Sequence, residues 1–190
     1  MENSRKYYWQ QAAKGGTIIG FVTVGFALLK YAVGLADVKF WSTLVGVADV
    51  VVFIALLYAF TKRMSAAADP VMGFTYGRCL GFVASMMLFT GIIMGVYTAI
   101  FNNFIAPENV KETIDGVMLL YQDMVPYDQF DWMYGMLSRM MMNPLWLLFA
   151  GIIGYVFQGV FFGLFTSAAA KKNPDVFADS RNQEDTDNRQ

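Results

Sequence analysis

Two ionisable side chains, Lys30 and Asp49, interrupt runs that are otherwise apolar. A charge near the middle of a bilayer costs about 2.5–3.5 kcal/mol on insertion scales, so such residues pair, face a bundle interior or serve transport. At a rise of 1.5 Å per residue, Lys30 lies ~9 Å and Asp49 ~12 Å from the facing ends of consecutive helices. Matching depths make an intramembrane ion pair geometrically reasonable. Three readings stay open: a structural pair, a proton or ion site gated by the pair, or independent groups. In the last, Lys30 snorkels outward while Asp49 bonds to tyrosine or backbone groups.

Other chemistry is scarce. The chain has no histidine and a single cysteine, Cys79, which excludes His-ligated metals, Cys–His nucleophilic catalysis and an internal disulfide. Cys79 follows Arg78, where a lowered thiol pKa would make it reactive; the plainer reading is a small residue at a helix start. Met133, Met136 and Met140 share one helical face, and thioethers are soft ligands for Cu(I). Without histidine or cysteine beside them, they read as adaptable apolar filler. No catalytic, cofactor-binding or metal site is expected, and no phosphate-binding or nucleophile motif is present.

The elements that must position Lys30 and Asp49 follow from two uncharged stretches, Cys79–Pro107 and Met140–Ala170. About 20 apolar residues in a helix cross the ~30 Å hydrocarbon core of a bilayer. The expected fold is therefore all-α and polytopic, with four transmembrane helices over about 15–36, 41–61, 76–104 and 144–170. Pro144 suits a first helical turn, where its missing N–H costs nothing. The domain plan is an N-tail over 1–14, a transmembrane unit over 15–172 and a polar tail over 173–190, too poor in apolar residues to order itself. No small-residue cleavage site follows the first apolar run, so that helix is expected to stay in the mature protein.

Arg5, Lys6, Lys14, Lys62, Arg63, Arg78, Lys171, Lys172 and Arg181 fall on one side of these spans, against Lys39, Lys111 and Arg139 on the other. The positive-inside rule then puts both termini in the cytoplasm. The long segment 105–143 faces outward. Within it Val110, Ile114, Val117, Tyr121 and Met124 recur at helical spacing, Pro126 stops that run, and a second periodic run leads to Asn143-Pro144. This predicts an amphipathic helical hairpin with an acidic outer face, lying on the membrane or capping the bundle.

Lipid is as apolar as leucine, so close approach of small residues must hold such helices together. Gly16/Gly20, Gly77/Gly81, Gly91/Gly95 and Gly159/Gly163 each form a G-x-x-x-G pair on one helix face. Tight packing within the chain is the first reading; homodimerisation through one glycine face is the second.

The strings Phe74-Thr-Tyr-Gly-Arg-Cys-Leu-Gly-Phe-Val and Val96-Tyr-Thr-Ala-Ile-Phe-Asn-Asn-Phe-Ile-Ala-Pro-Glu resemble a bacterial four-helix membrane family common in the Bacteroidota. It is the domain-of-unknown-function family numbered 4199. The resemblance covers nearly the whole chain and implies an inner-membrane protein without an assigned activity, ligand or catalytic residue. The tail after Asn173 is longer than that resemblance implies.

These readings converge on a non-catalytic interaction or assembly subunit in the lipid bilayer, joined to a protein partner or to further copies of itself. A small transporter or channel using Lys30 and Asp49 is the alternative. An enzyme, a cofactor and a nucleic-acid partner are not expected.

Overall fold

The computed structural model describes residues 2–34, 39–68, 73–121 and 126–173. Among the described residues there are six α-helices: α1 (Glu2–Gly34), α2 (Lys39–Ala66), α3 (Tyr76–Ile100), α4 (Pro107–Tyr121), α5 (Tyr127–Met142) and α6 (Pro144–Ala170). A π-helical turn over Phe101–Ile105 prolongs α3. Among the described residues, four helical stretches are long and apolar enough to cross a membrane: Arg5–Gly34, Phe40–Ala66, Tyr76–Ile105 and Pro144–Ala170. Among the described residues there is no β-strand, only an isolated antiparallel bridge between Phe74 and Lys172.

The first helix starts well before Gly15. Residues expected to form an N-terminal tail instead continue α1 back to Glu2. Packing on α3 explains this: the Tyr8 ring stands edge-on to Phe82 with centroids 5.4 Å apart, and Trp9 does the same against Phe89 at 6.4 Å. The Tyr8 hydroxyl lies 3.2 Å from Ser85 Oγ. The second helix likewise runs past Thr61 to Ala66, with Thr61 and Ser65 buried. Pro144 does occupy the first turn of α6, and the Asn143 side chain caps that helix by accepting from the Leu145 and Trp146 amides. Of the polar tail expected over 173–190, everything after residue 173 lies outside the described residues.

The four long helices close a ring in the order α1–α3–α6–α2, with α3 gripped on both sides and touching α2 only lightly. Phe53 and Leu57 of α2, Ile19 of α1, and Phe82, Val83, Met86 and Met87 of α3 fill its centre. Neighbours α1 and α3 run parallel: Gly16 sits on Met86, Gly20 on Ile93 and Tyr31 on Phe101. Helices α3 and α6 run antiparallel, Gly95 meeting Leu148 and Gly163 meeting Val83.

Where α3 crosses α6 the two backbones touch. A Cβ added at Gly91 would stand 2.6 Å from Ile152 Cα, and one at Gly95 would stand 2.8 Å from Leu148 Cα. From the other side, a Cβ on Gly151 would stand 2.8 Å from Gly95 Cα. Further along, the Gly159 position is filled by the Met87 side chain, and Gly163 by Val83 and Leu80. On α1, Gly16 abuts the Met86 carbonyl, and the Gly16 carbonyl accepts a 2.9 Å hydrogen bond from the Thr90 hydroxyl. Gly77 and Gly81 behave differently. Nothing lies within 4 Å of a Cβ at Gly77, and only the Tyr8 hydroxyl, at 3.9 Å, approaches Gly81.

Between the third and fourth spans, α4 and α5 pack on each other around Val110, Ile114 and Met118, backed by Phe130, Met133, Tyr134, Leu137 and Met141. Met133 is thus part of an apolar contact. Residues 122–125, which join the two helices, lie outside the described residues, so the turn of the expected hairpin is not part of this description. Asn102, on the π-helical turn, ties the pair to α3 by donating its side-chain N–H to the Met141 carbonyl at 2.9 Å.

Substituting Gly91 with alanine should destabilise the fold by about 1–3 kcal/mol, because the methyl group meets backbone that cannot step aside. Gly25→Ala, where nothing lies within 4 Å, should be neutral or stabilising by up to about 1 kcal/mol through helix propensity. Thermal unfolding of the two variants in the same detergent checks this; equal melting temperatures would refute the backbone contact.

Candidate functional site

Four helices bring polar side chains to one level of the bundle. Asp49 projects from α2 among packed residues, and its Oδ1 is buried without a hydrogen-bond partner. The Lys30 ammonium on α1 and Tyr155 on α6 are both near enough to act on it electrostatically, and Tyr97 of α3 reaches Tyr155 in the same way. Tyr155 packs against the central apolar cluster.

The expected ion-pair contact is not made. Among the described residues no Lys or Arg nitrogen is paired with Asp49, and Lys30 is exposed. Lys30 instead borders a cleft of about 630 Å³ with Tyr31, Ser42, Tyr97, Asn109 and Glu112. A second groove, about 510 Å³, opens beside it along Ser42, Gly46 and Val47 of α2. The physical reason is the length of the lysine stem. It lets the ammonium turn into the two open spaces that Lys30 lines, whereas the short Asp49 side chain stays where its backbone puts it. Lys30 is thus exposed and lines two open spaces, while Asp49 Oδ1 is buried without the tyrosine or backbone hydrogen bond expected for it.

The π-helical turn shapes the cleft. One extra residue in the turn swings Phe101 against Tyr31, with centroids 5.0 Å apart, and against Tyr97 at 5.6 Å. Asn103 returns its side-chain N–H to the Ala99 carbonyl. Such wide turns collect at functional positions in other helices. A carboxylate, an amine and two phenols drawn from four helices form a set able to hold a proton or a small cation within a low-dielectric bundle.

Cys79 is no part of this. It is fully buried at the opposite end of α3, its Sγ directed to the Phe74 carbonyl at 3.7 Å. Tyr97 and Tyr155 were legible in sequence only as polar members of their helices; which face each presents depends on the α3–α6 crossing. Gly151 escaped notice because no glycine stands four residues to either side of it.

The ring of four membrane-length helices with polar groups gathered at one level defines a helical, multi-pass protein of the membrane type. The chain belongs to the family described as "Protein of unknown function (DUF4199)", whose model matches residues 14–172. No curated protein and no solved structure matches the chain.

Because Asp49 Oδ1 lacks a partner, Asp49→Asn should leave the melting temperature in detergent unchanged or raise it, the variant being spared the cost of a buried charge. A fall of more than about 4 °C would reveal a stabilising contact for the carboxylate, since that shift corresponds to about 1 kcal/mol or more in a domain of this size.

Proposed function

We propose that this protein is a non-catalytic interaction or assembly subunit of a bacterial inner membrane, with both termini cytoplasmic and α4–α5 on the outer side. The excess of Lys and Arg on one side of the spans supports that orientation. The observation that carries the role is the surface of the α4–α5 pair. It has its own small core, yet it keeps Leu119, Leu120 and Trp132 exposed, Leu120 at 75% and Trp132 at 68%. Glu108, Glu112, Asp115 and Asp131 are exposed on the same pair. Large apolar side chains beside unpaired carboxylates suit a partner that offers apolar surface rimmed by basic residues.

A second reading, a small transporter or channel, draws on the unpartnered Asp49 Oδ1 beside the Lys30 cleft. The two readings differ in what Asp49→Asn does: it abolishes ion flux in proteoliposomes if the protein transports and changes nothing if it only assembles.

A photo-crosslinking amino acid at Leu120, compared with one at Phe157 on α6 (76% exposed), tests the docking role in native membranes. Leu120 should yield one discrete protein adduct and Phe157 only lipid. Lipid adducts alone from both positions would exclude a partner on α4–α5 and transfer weight to transport.

A further inference from the structure

At the end of the bundle opposite Lys30, α1, α2 and α3 enclose a pocket of about 260 Å³. Lys14 and Arg63 line it together with Tyr7 and Gln11, over a floor that includes Phe60 and Phe82. A water molecule takes about 30 Å³ in the liquid, so the space holds a group several times larger. The lining contains two cations and no acid.

The cations around this pocket are committed differently. The Lys62 ammonium lies 5.4 Å from the centroid of the Tyr58 ring. Arg78 stacks on Phe74 and donates to the Gly73 carbonyl at 3.2 Å. Lys14 and Arg63, among the described residues, make no ion pair and no hydrogen bond, although both face the same space. Two unneutralised cations from different helices, with a phenol and a carboxamide beside them, constitute a receptor for an oxyanion.

Depth identifies the kind of oxyanion. At 1.5 Å per residue, Lys14 stands about 30 Å along α1 from its end at Gly34, one hydrocarbon thickness away. The pocket therefore opens at headgroup level, with apolar α1 and α2 surfaces running from it along the acyl region. Arg5, Lys6, Lys62 and Arg78 add positive charge at the same end, against only Glu2 and Asp69 in those sequence segments.

We propose that this pocket binds a phosphate group through Lys14 and Arg63, the phosphate being that of an anionic phospholipid headgroup. The phosphate sits between the ammonium and the guanidinium, Tyr7 and Gln11 donate to its remaining oxygens, and the acyl chains follow the outer faces of α1 and α2. The site is separate from the Lys30–Asp49 level and from the α4–α5 surface.

The test uses the full-length protein in nanodiscs of phosphatidylcholine alone or with phosphatidylglycerol added, and in neutral detergent with inorganic phosphate. Phosphatidylglycerol should raise the melting temperature by about 2–4 °C over phosphatidylcholine. The double variant Lys14→Gln/Arg63→Gln should lose that rise, while the charge-matched Lys6→Gln/Lys62→Gln should keep it. An equal rise with inorganic phosphate, also lost in the Lys14/Arg63 variant, would retain the phosphate site but assign it to a soluble source. No rise with either compound, or equal loss in both double variants, would overturn the proposal by leaving only diffuse attraction. Native mass spectrometry of the wild-type protein gives a readout that survives poor folding of the variants. One phosphatidylglycerol should stay bound per chain, and a distribution without a preferred stoichiometry would count against the site.

Discussion

The contact between the backbones of α3 and α6 is the constraint on which the remaining architecture rests. Inside a bilayer the hydrophobic effect gives helices no reason to associate, because lipid and leucine are equally apolar. What remains is dispersion, which rises steeply as surfaces approach. Gly91, Gly95 and Gly151 remove the side chains that would hold these helices apart. Methionine completes the seam where glycine leaves more room, with Met87 lying over Gly159. From this axis α3 carries α1 on its other flank, through Gly16 and Gly20, and α2 closes the ring between α1 and α6.

Several hydroxyls within the spans follow one rule, from which Asp49 and Ser167 depart. Thr61, Ser85, Thr98 and Thr166 each return their hydroxyl to the carbonyl four residues earlier, so no donor is left facing lipid. Thr90 does more, bonding both to Met86 of its own helix and to Gly16 of α1, which makes a glycine contact into a directional one. A carboxylate has no proton to return in this fashion. Asp49 Oδ1 therefore stays unsatisfied, as does the Ser167 hydroxyl near the end of α6, and of the two only Asp49 is a carboxylate, at the level of Lys30, Tyr97 and Tyr155.

Much of the fold was legible in the chain because a bilayer imposes a length and a polarity that composition must meet. The spans, the first-turn position of Pro144 and the family all followed from uncharged runs and short strings. The start of α1 did not, since Tyr8 and Trp9 look like interfacial anchors until Phe82 and Phe89 are seen beneath them. Glycine spacing pointed to Gly91 and Gly95, yet the same spacing at Gly77 and Gly81 falls on a face that, among the described residues, only the Tyr8 hydroxyl approaches. A four-residue interval says that two small residues share a face, not what that face meets. For the same reason, matching depths of Lys30 and Asp49 foretold proximity without foretelling contact: the two are near enough to act on each other but form no ion pair.

One small feature bears on how the chain is put together in time. Phe74 and Lys172 exchange backbone hydrogen bonds of 2.9 and 3.0 Å, fastening the entrance of α3 to the exit of α6. Synthesis reaches Phe74 roughly a hundred residues before Lys172. Through that interval the glycine groove of α3 has no occupant, and the nascent protein is an open trough in the membrane. Since α6 follows α3 in the chain, it acts as the latch that shuts the barrel of helices.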